Sequence, residues 1–279
     1  MKKKVNPWNV LQYGVLCVWI GISVITLGWF IVSSFKSNSE LFVNIWDLPE
    51  KLQIDNYIRA WTSGRMAVYF KNTLIIQIAA LTLLTVFGSM AGYVLARFRR
   101  YRWVSMASLL FVSGMAIPAQ ITLVPLYLMY SQVGLLNTRL GIILVYCAVY
   151  MPFTVFVLTG FFSTIPREVE EAAAIDGCSK WRVFLHVAVP MAKPGITTVV
   201  IFNFLSIWNE YFYAMMLITD DEKMPLSAGL YNLKSQQQMS MDWAALFAGV
   251  VILVIPTLIV FFLLQDKIEK GVTAGAVKG

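Results

Sequence analysis

Two short runs carry the residues best placed to do chemistry. The first is Glu171-Ala172-Ala173, followed at fixed spacing by Asp176-Gly177. Its acids offer salt bridges and its alanines let a partner surface approach closely. The second is Trp208-Asn209-Glu210-Tyr211, with Asn203 five residues before it. Aromatic faces beside amide and carboxylate groups suit sugar rings and their hydroxyls, and Tyr150, next to Pro152, is a further pore-lining candidate. Asn209 and Glu210 fit a second role equally, that of satisfying a helix kink or an inter-subunit contact. Neither run is a catalytic set. The single histidine, His186, reads as structural, because a metal site needs several ligands. Cys17, Cys147 and Cys178 have neither C-x-x-C spacing nor the pattern of a disulfide framework.

The elements that must position these residues are helices in a bilayer. Hydrophobic residues make up 58% of the 279 and charged ones 13%, with a mean hydropathy of +0.69. Six runs approach the roughly 20 apolar residues that a membrane helix needs: 11–33, 72–96, 104–130, 140–162, 196–218 and 244–265. They predict an all-α, polytopic membrane protein forming one transmembrane domain over 1–279. Lys2-Lys3-Lys4 before an apolar run resembles a secretion signal, but 11–33 exceeds an ordinary signal core and no A-x-A-like site follows it. Counting about 1.5 Å per residue from Ile196 puts Glu210 roughly 21 Å into a hydrocarbon core of about 30 Å.

Orientation follows the Lys and Arg distribution. With the N-terminus inside, cytoplasmic segments hold fourteen of the 22 basic residues, including the cluster Arg97, Arg99, Arg100 and Arg102. Both termini are thereby expected in the cytoplasm of a bacterial cell, with the net charge of +7 facing anionic lipid rather than nucleic acid. On the outer side, Ile54, Tyr57, Ile58 and Trp61 recur at helical spacing and predict an amphipathic cap. The polar stretch 219–243 reads as a loop, solvated or in contact with a partner. The Gly88-Ser89-Met90-Ala91-Gly92 run reads as a helix-packing face.

The cytoplasmic segment 163–195 predicts a short helix of its own. Thr164 is a possible N-cap, Pro166 sits near the first helical position, and Glu168, Glu170 and Glu171 favour the positive end of the helix dipole. Ala172 to Ala174 add propensity, and Gly177 suits the left-handed residue that closes a helix. A second helix is predicted from about Ser179 to Val187, stopping at Pro190.

Together, Glu171-Ala172-Ala173-x-x-Asp176-Gly177 and the downstream Pro190 resemble the EAA loop of bacterial ABC importer permeases. Trp208-Asn209-Glu210-Tyr211 and the tail Lys270-Gly271-Val272-Thr273-Ala274-Gly275-Ala276-Val277-Lys278-Gly279 resemble the carbohydrate-importing MalG-type branch. The resemblance spans the chain and implies a type I importer fold. It implies a second, MalF-type permease in a heterodimeric pore, two ATPase subunits that bind ATP and Mg, and an external sugar-binding protein. It places Glu171, Ala172, Ala173, Asp176 and Gly177 at the ATPase contact, with the tail also reaching the ATPases. No cofactor is expected on this chain, which lacks G-x-x-x-x-G-K-[ST]. An ion-coupled secondary transporter, or an ABC importer for a solute such as a glycerol phosphate, is the alternative.

Overall fold

The computed structural model describes residues 7–240 and 242–276, and every regular element among them is helical. In chain order the helices are α1 (Pro7–Ser33), α2 (Asn38–Val43), α3 (Asp55–Trp61), α4 (Met66–Arg97), α5 (Arg102–Gly114), α6 (Ala119–Gln132) and α7 (Arg139–Ser163). There follow α8 (Arg167–Ile175), α9 (Lys180–Val183), α10 (Val189–Met191), α11 (Lys193–Trp208), α12 (Phe212–Leu217), α13 (Leu226–Ser240) and α14 (Trp243–Ala276). Four of them, within α1, α4, α7 and α14, are long and apolar enough to cross a membrane. The count reaches six if each of two bent pairs is one span.

Those bends are where the structure departs from the apolar runs. The run 104–130 predicts one helix, yet α5 and α6 meet at 101°. Pro118 explains the break: it caps α6 from an extended conformation, and a proline disfavours α geometry in the residue before it, here Ile117. The run 196–218 is likewise divided, because α11 stops at Trp208 and α12 begins at Phe212. The stretch from Lys180 to Met191 meets α11 at 72°. It includes a π-helical turn, Phe184–Ala188, and ends at Met191, one residue past the Pro190 at which the sequence predicts the second helix of the 163–195 segment to stop.

Two compact units divide the described chain. One takes the residues up to Ala67 together with Leu230–Ile255. In it, α3 forms as predicted but turns its apolar residues outward: Ile54 and Ile58 are exposed, while Asn56 and Ala60 are buried. Asn56 donates to the carbonyls of Ser34 and Lys36, both at 2.8 Å. The wholly buried Lys36 spends its ammonium on the carbonyls of Asn44 and Ile45, which folds the chain after α2 back on itself. Arg59 bridges Asp55 and Asp242 and so ties α3 to the residue just before α14.

The other unit takes Val68–Gly229 with the described residues from Pro256 on. Its centre is α7, against which α5 and α11 pack. Helix α4 joins the same core through the glycines of the predicted packing face. A Cβ on Gly88 would stand 2.5 Å from Thr154 Cγ2, and one on Gly92 would stand 3.0 Å from Leu158 Cβ. Only glycine allows so close an approach of two helices. Beyond α12, the stretch read as a polar loop is largely helical, as α13.

Candidate functional site

Helix α8 is built as its sequence predicts, with one correction. Thr164 does not cap it; Thr164 closes α7, its hydroxyl donating to the Phe161 carbonyl at 2.8 Å. Pro166 occupies the cap position, where its missing N–H costs nothing. Glu168 and Glu170 lie in the first turn, at the favourable end of the dipole. At the other end Gly177 adopts φ +83°, the left-handed conformation that costs other residues about 1 kcal/mol or more. The N–H groups of Asp176, Gly177 and Cys178 return to the carbonyls of Ala172, Ala174 and Ala173, closing the helix.

None of the residues of α8 is buried. Glu168, Glu171, Ala172 and Ile175 lie along one exposed stripe, which Asp176 and Gly177 extend. Ile175, 86% exposed, is the apolar member that sequence reasoning passed over. Its i+4 spacing from Glu171 was the available signal. Ala173, half-buried, sits beside the stripe.

Glu170 points the other way. Its carboxylate receives Arg97 Nε at 2.9 Å, Arg97 Nη2 at 2.5 Å and the Tyr93 hydroxyl at 3.1 Å. Sequence reasoning counted Arg97 only as a topological anchor. Behind this pair a cavity of about 680 Å³ opens between the end of α4 and α8–α9, lined in part by Val94, Phe98, Glu171, Cys178 and Trp181.

The second run is organised around the break in its span. Glu210 lies just outside α12 and turns its carboxylate onto that helix: Oε1 accepts from the Tyr213 N–H at 2.8 Å and Oε2 from the Ala214 N–H at 3.4 Å. Oε2 also accepts the Tyr146 hydroxyl at 2.8 Å, and the Glu210 carbonyl accepts the Ser227 hydroxyl. This is an N-capping role, in which a side-chain oxygen satisfies the free N–H groups of a helix start. Asn203 is buried and donates to the Thr154 hydroxyl at 2.8 Å. Trp208 is buried too, stacked on Phe204 and edge-on to Phe70.

The other three candidates keep surface. Asn209 and Tyr211 are exposed at the break, and Tyr150 is half-buried with its hydroxyl 3.5 Å from the Ser206 carbonyl. The six residues gathered here as one candidate path are therefore sorted into a supporting set (Asn203, Trp208, Glu210) and an accessible one (Tyr150, Asn209, Tyr211). The tail is helical as far as Ala276, and Val277, Lys278 and Gly279 lie outside the described residues.

Residues 85–274, which include both runs, match the model of the family described as binding-protein-dependent transport system inner membrane component. The chain belongs to this family. It is a multi-pass membrane permease of the ABC importer type. Among curated relatives it is 39% identical to the diacetylchitobiose uptake system permease protein NgcG of Streptomyces coelicolor, over 96% of this chain and 88% of that one. It is 33% identical to the melibiose/raffinose/stachyose import permease protein MelC of Bacillus subtilis, over 89% of each. The permease fold is that of a bacterial ABC transporter involved in the import of alginate, with a TM-score of 0.82 at 22% identity, covering 95% of this chain and 98% of that one.

Proposed function

We propose that this permease forms part of the pore of an importer for a sugar or oligosaccharide. In this reading ATP hydrolysis occurs on separate ATPase subunits, and the stripe on α8 receives their movement. The observation that carries it is the exposed α8, which presents Glu171, Ala172, Ile175 and Asp176 along one outward stripe. Ala172 and Ala173 permit close approach, Gly177 holds the turn that presents them, and Glu171 supplies charge at the rim. With both termini in the cytoplasm, as the basic residues favour, α8 faces the side where ATP is found. ATP and Mg then belong to two ATPase partners, and this chain performs no catalysis itself. A second, MalF-type permease completes a heterodimeric pore, and an external binding protein delivers the cargo.

Carbohydrate is favoured by the relatives, which include permeases for diacetylchitobiose and for melibiose, raffinose and stachyose. It is also favoured by Tyr150, Asn209 and Tyr211, which combine aromatic surface with hydrogen-bonding groups at the interrupted span. The alternative of an ion-coupled transporter needs a carboxylate available to an ion within the membrane. Glu210 suits that role poorly, since its oxygens are committed to Tyr146, Tyr213 and Ala214.

Reconstitution with the second permease, the ATPases and a binding protein tests the reading. Sugar-loaded binding protein is expected to stimulate both ATP hydrolysis and uptake. Uptake that needs no ATPase and collapses with a protonophore would contradict it.

A further inference from the structure

We infer that Arg97 and Glu170 form a clasp that makes α8 and the end of α4 move as one body. The docking movement then reaches a membrane helix to which the 163–195 segment is not directly joined. The inference rests on the permease reading and names the residues that pass its stroke onward. By chain connectivity alone, α8 would pull on α7 before it and on α11 after it. Arg97 stands 73 residues away in sequence, on another helix.

The geometry of the contact suits a joint that must bear load in both directions. Apolar surfaces slide past each other, and none of the residues of α8 is fully buried, so packing alone fixes it loosely. The guanidinium instead grips the carboxylate through two nitrogens, with Nε 2.9 Å from each oxygen and Nη2 2.5 Å from Oε1. A forked pair of this kind fixes orientation as well as distance, which a lysine ammonium cannot do. The pair is also shielded, with side chains only 10% and 13% exposed, so salt screens it weakly.

Neighbouring contacts brace the joint. Arg167, the first residue of α8, donates Nη2 to the carbonyl of Arg97 at 3.0 Å. Tyr93, one turn before Arg97, bonds Glu170 and lays its ring against Phe162 of α7 and Phe184 of the π-helical turn. The end of α4 is thereby bound to α8 by charge and to α7 by ring packing. Arg97 and Glu170 act as positioning residues, since neither lies on the exposed stripe.

The test uses the complete reconstituted complex with wild type, Arg97→Lys, Arg97→Ala, Glu170→Gln and the double variant Arg97→Ala/Glu170→Gln. Two quantities are read: ATP hydrolysed per solute imported, and amide hydrogen exchange over residues 168–175. Arg97→Ala and Glu170→Gln are expected to retain the ATPases while raising ATP per solute by about fivefold or more, the low end of an ordinary coupling free energy. Arg97→Lys should fall between them and wild type, and the double variant should be no worse than the worse single one, as for two residues acting through one contact. Exchange over 168–175 should rise in the same order. Unchanged exchange in Arg97→Ala overturns the clasp, whatever transport does. Raised exchange with unchanged ATP per solute overturns its role in transmission. If the wild-type complex imports nothing with ATP, the permease reading fails instead, and the exchange series still judges the clasp.

Discussion

Glu171 and Glu210 sit in the two segments whose sequences promised function, and the structure spends them differently. Glu171 lies on the outward stripe of a helix whose C-terminal end is closed by its own backbone around Gly177, and its carboxylate remains on the surface. Glu210 lies at a break, where the first N–H groups of α12 need acceptors and Tyr146 needs a partner, so its carboxylate is consumed internally. A carboxylate at an interrupted span is thus drawn onto the free backbone N–H groups beside it. Glu170, immediately before Glu171, is consumed in another way, turned inward and held by the Arg97 side chain.

The contrast can be broken most sharply by charging the exposed stripe. Ile175→Asp should leave the protein inserted and folded but lower ATP-driven uptake by at least about tenfold, as loss of an interface anchor does. Normal uptake would place the docking surface elsewhere. At the break, Glu210→Ala should instead act on stability, lowering it by about 2 kcal/mol through loss of a cap and of the Tyr146 bond, read by thermal unfolding in detergent. An unchanged melting temperature would release Glu210 for a direct role in the pore.

Smaller effects sharpen the same division. Gly177→Ala meets no steric obstacle but must hold φ near +83°, so it should destabilise the end of α8 by about 1 kcal/mol. That cost should appear as faster amide exchange over residues 172–176. Asn209→Ala, in the accessible set, should change the apparent KM for uptake by a few-fold at most, with stability unaltered, as for loss of about one net hydrogen bond. A change in melting temperature without a change in KM would move Asn209 to the supporting set.

How much of this was legible followed the range of the interactions. Helix α8 could be read because its signals are local: proline at the start, acids in the first turn, alanines, and a glycine where the left-handed turn falls. The α4 packing face was legible for the same reason, from glycines four residues apart. The break between α11 and α12 was legible only in part, since it is held by Tyr146, 64 residues before Glu210, and by Ser227, 17 after it. In the run 196–218 the polar pair Asn209-Glu210 marks the break, and from sequence it fits a helix kink and a substrate path equally. Thr164 showed the limit of local reading, for a threonine between two helices can serve either one, and here it closes the first. Arg97 hid in a basic cluster whose charge had an adequate explanation in topology.

In the proposed importer the stripe on α8 is the surface the ATPase meets, whereas the break at Glu210 serves the pore. Site-specific photo-crosslinking in the reconstituted complex tests it most directly, with the photoreactive residue placed at Ile175 in one protein and at Asn209 in another. Position 175 is expected to capture an ATPase subunit and position 209 none. Capture of the ATPase from 209, or its absence from 175 in a complex that transports normally, would contradict it.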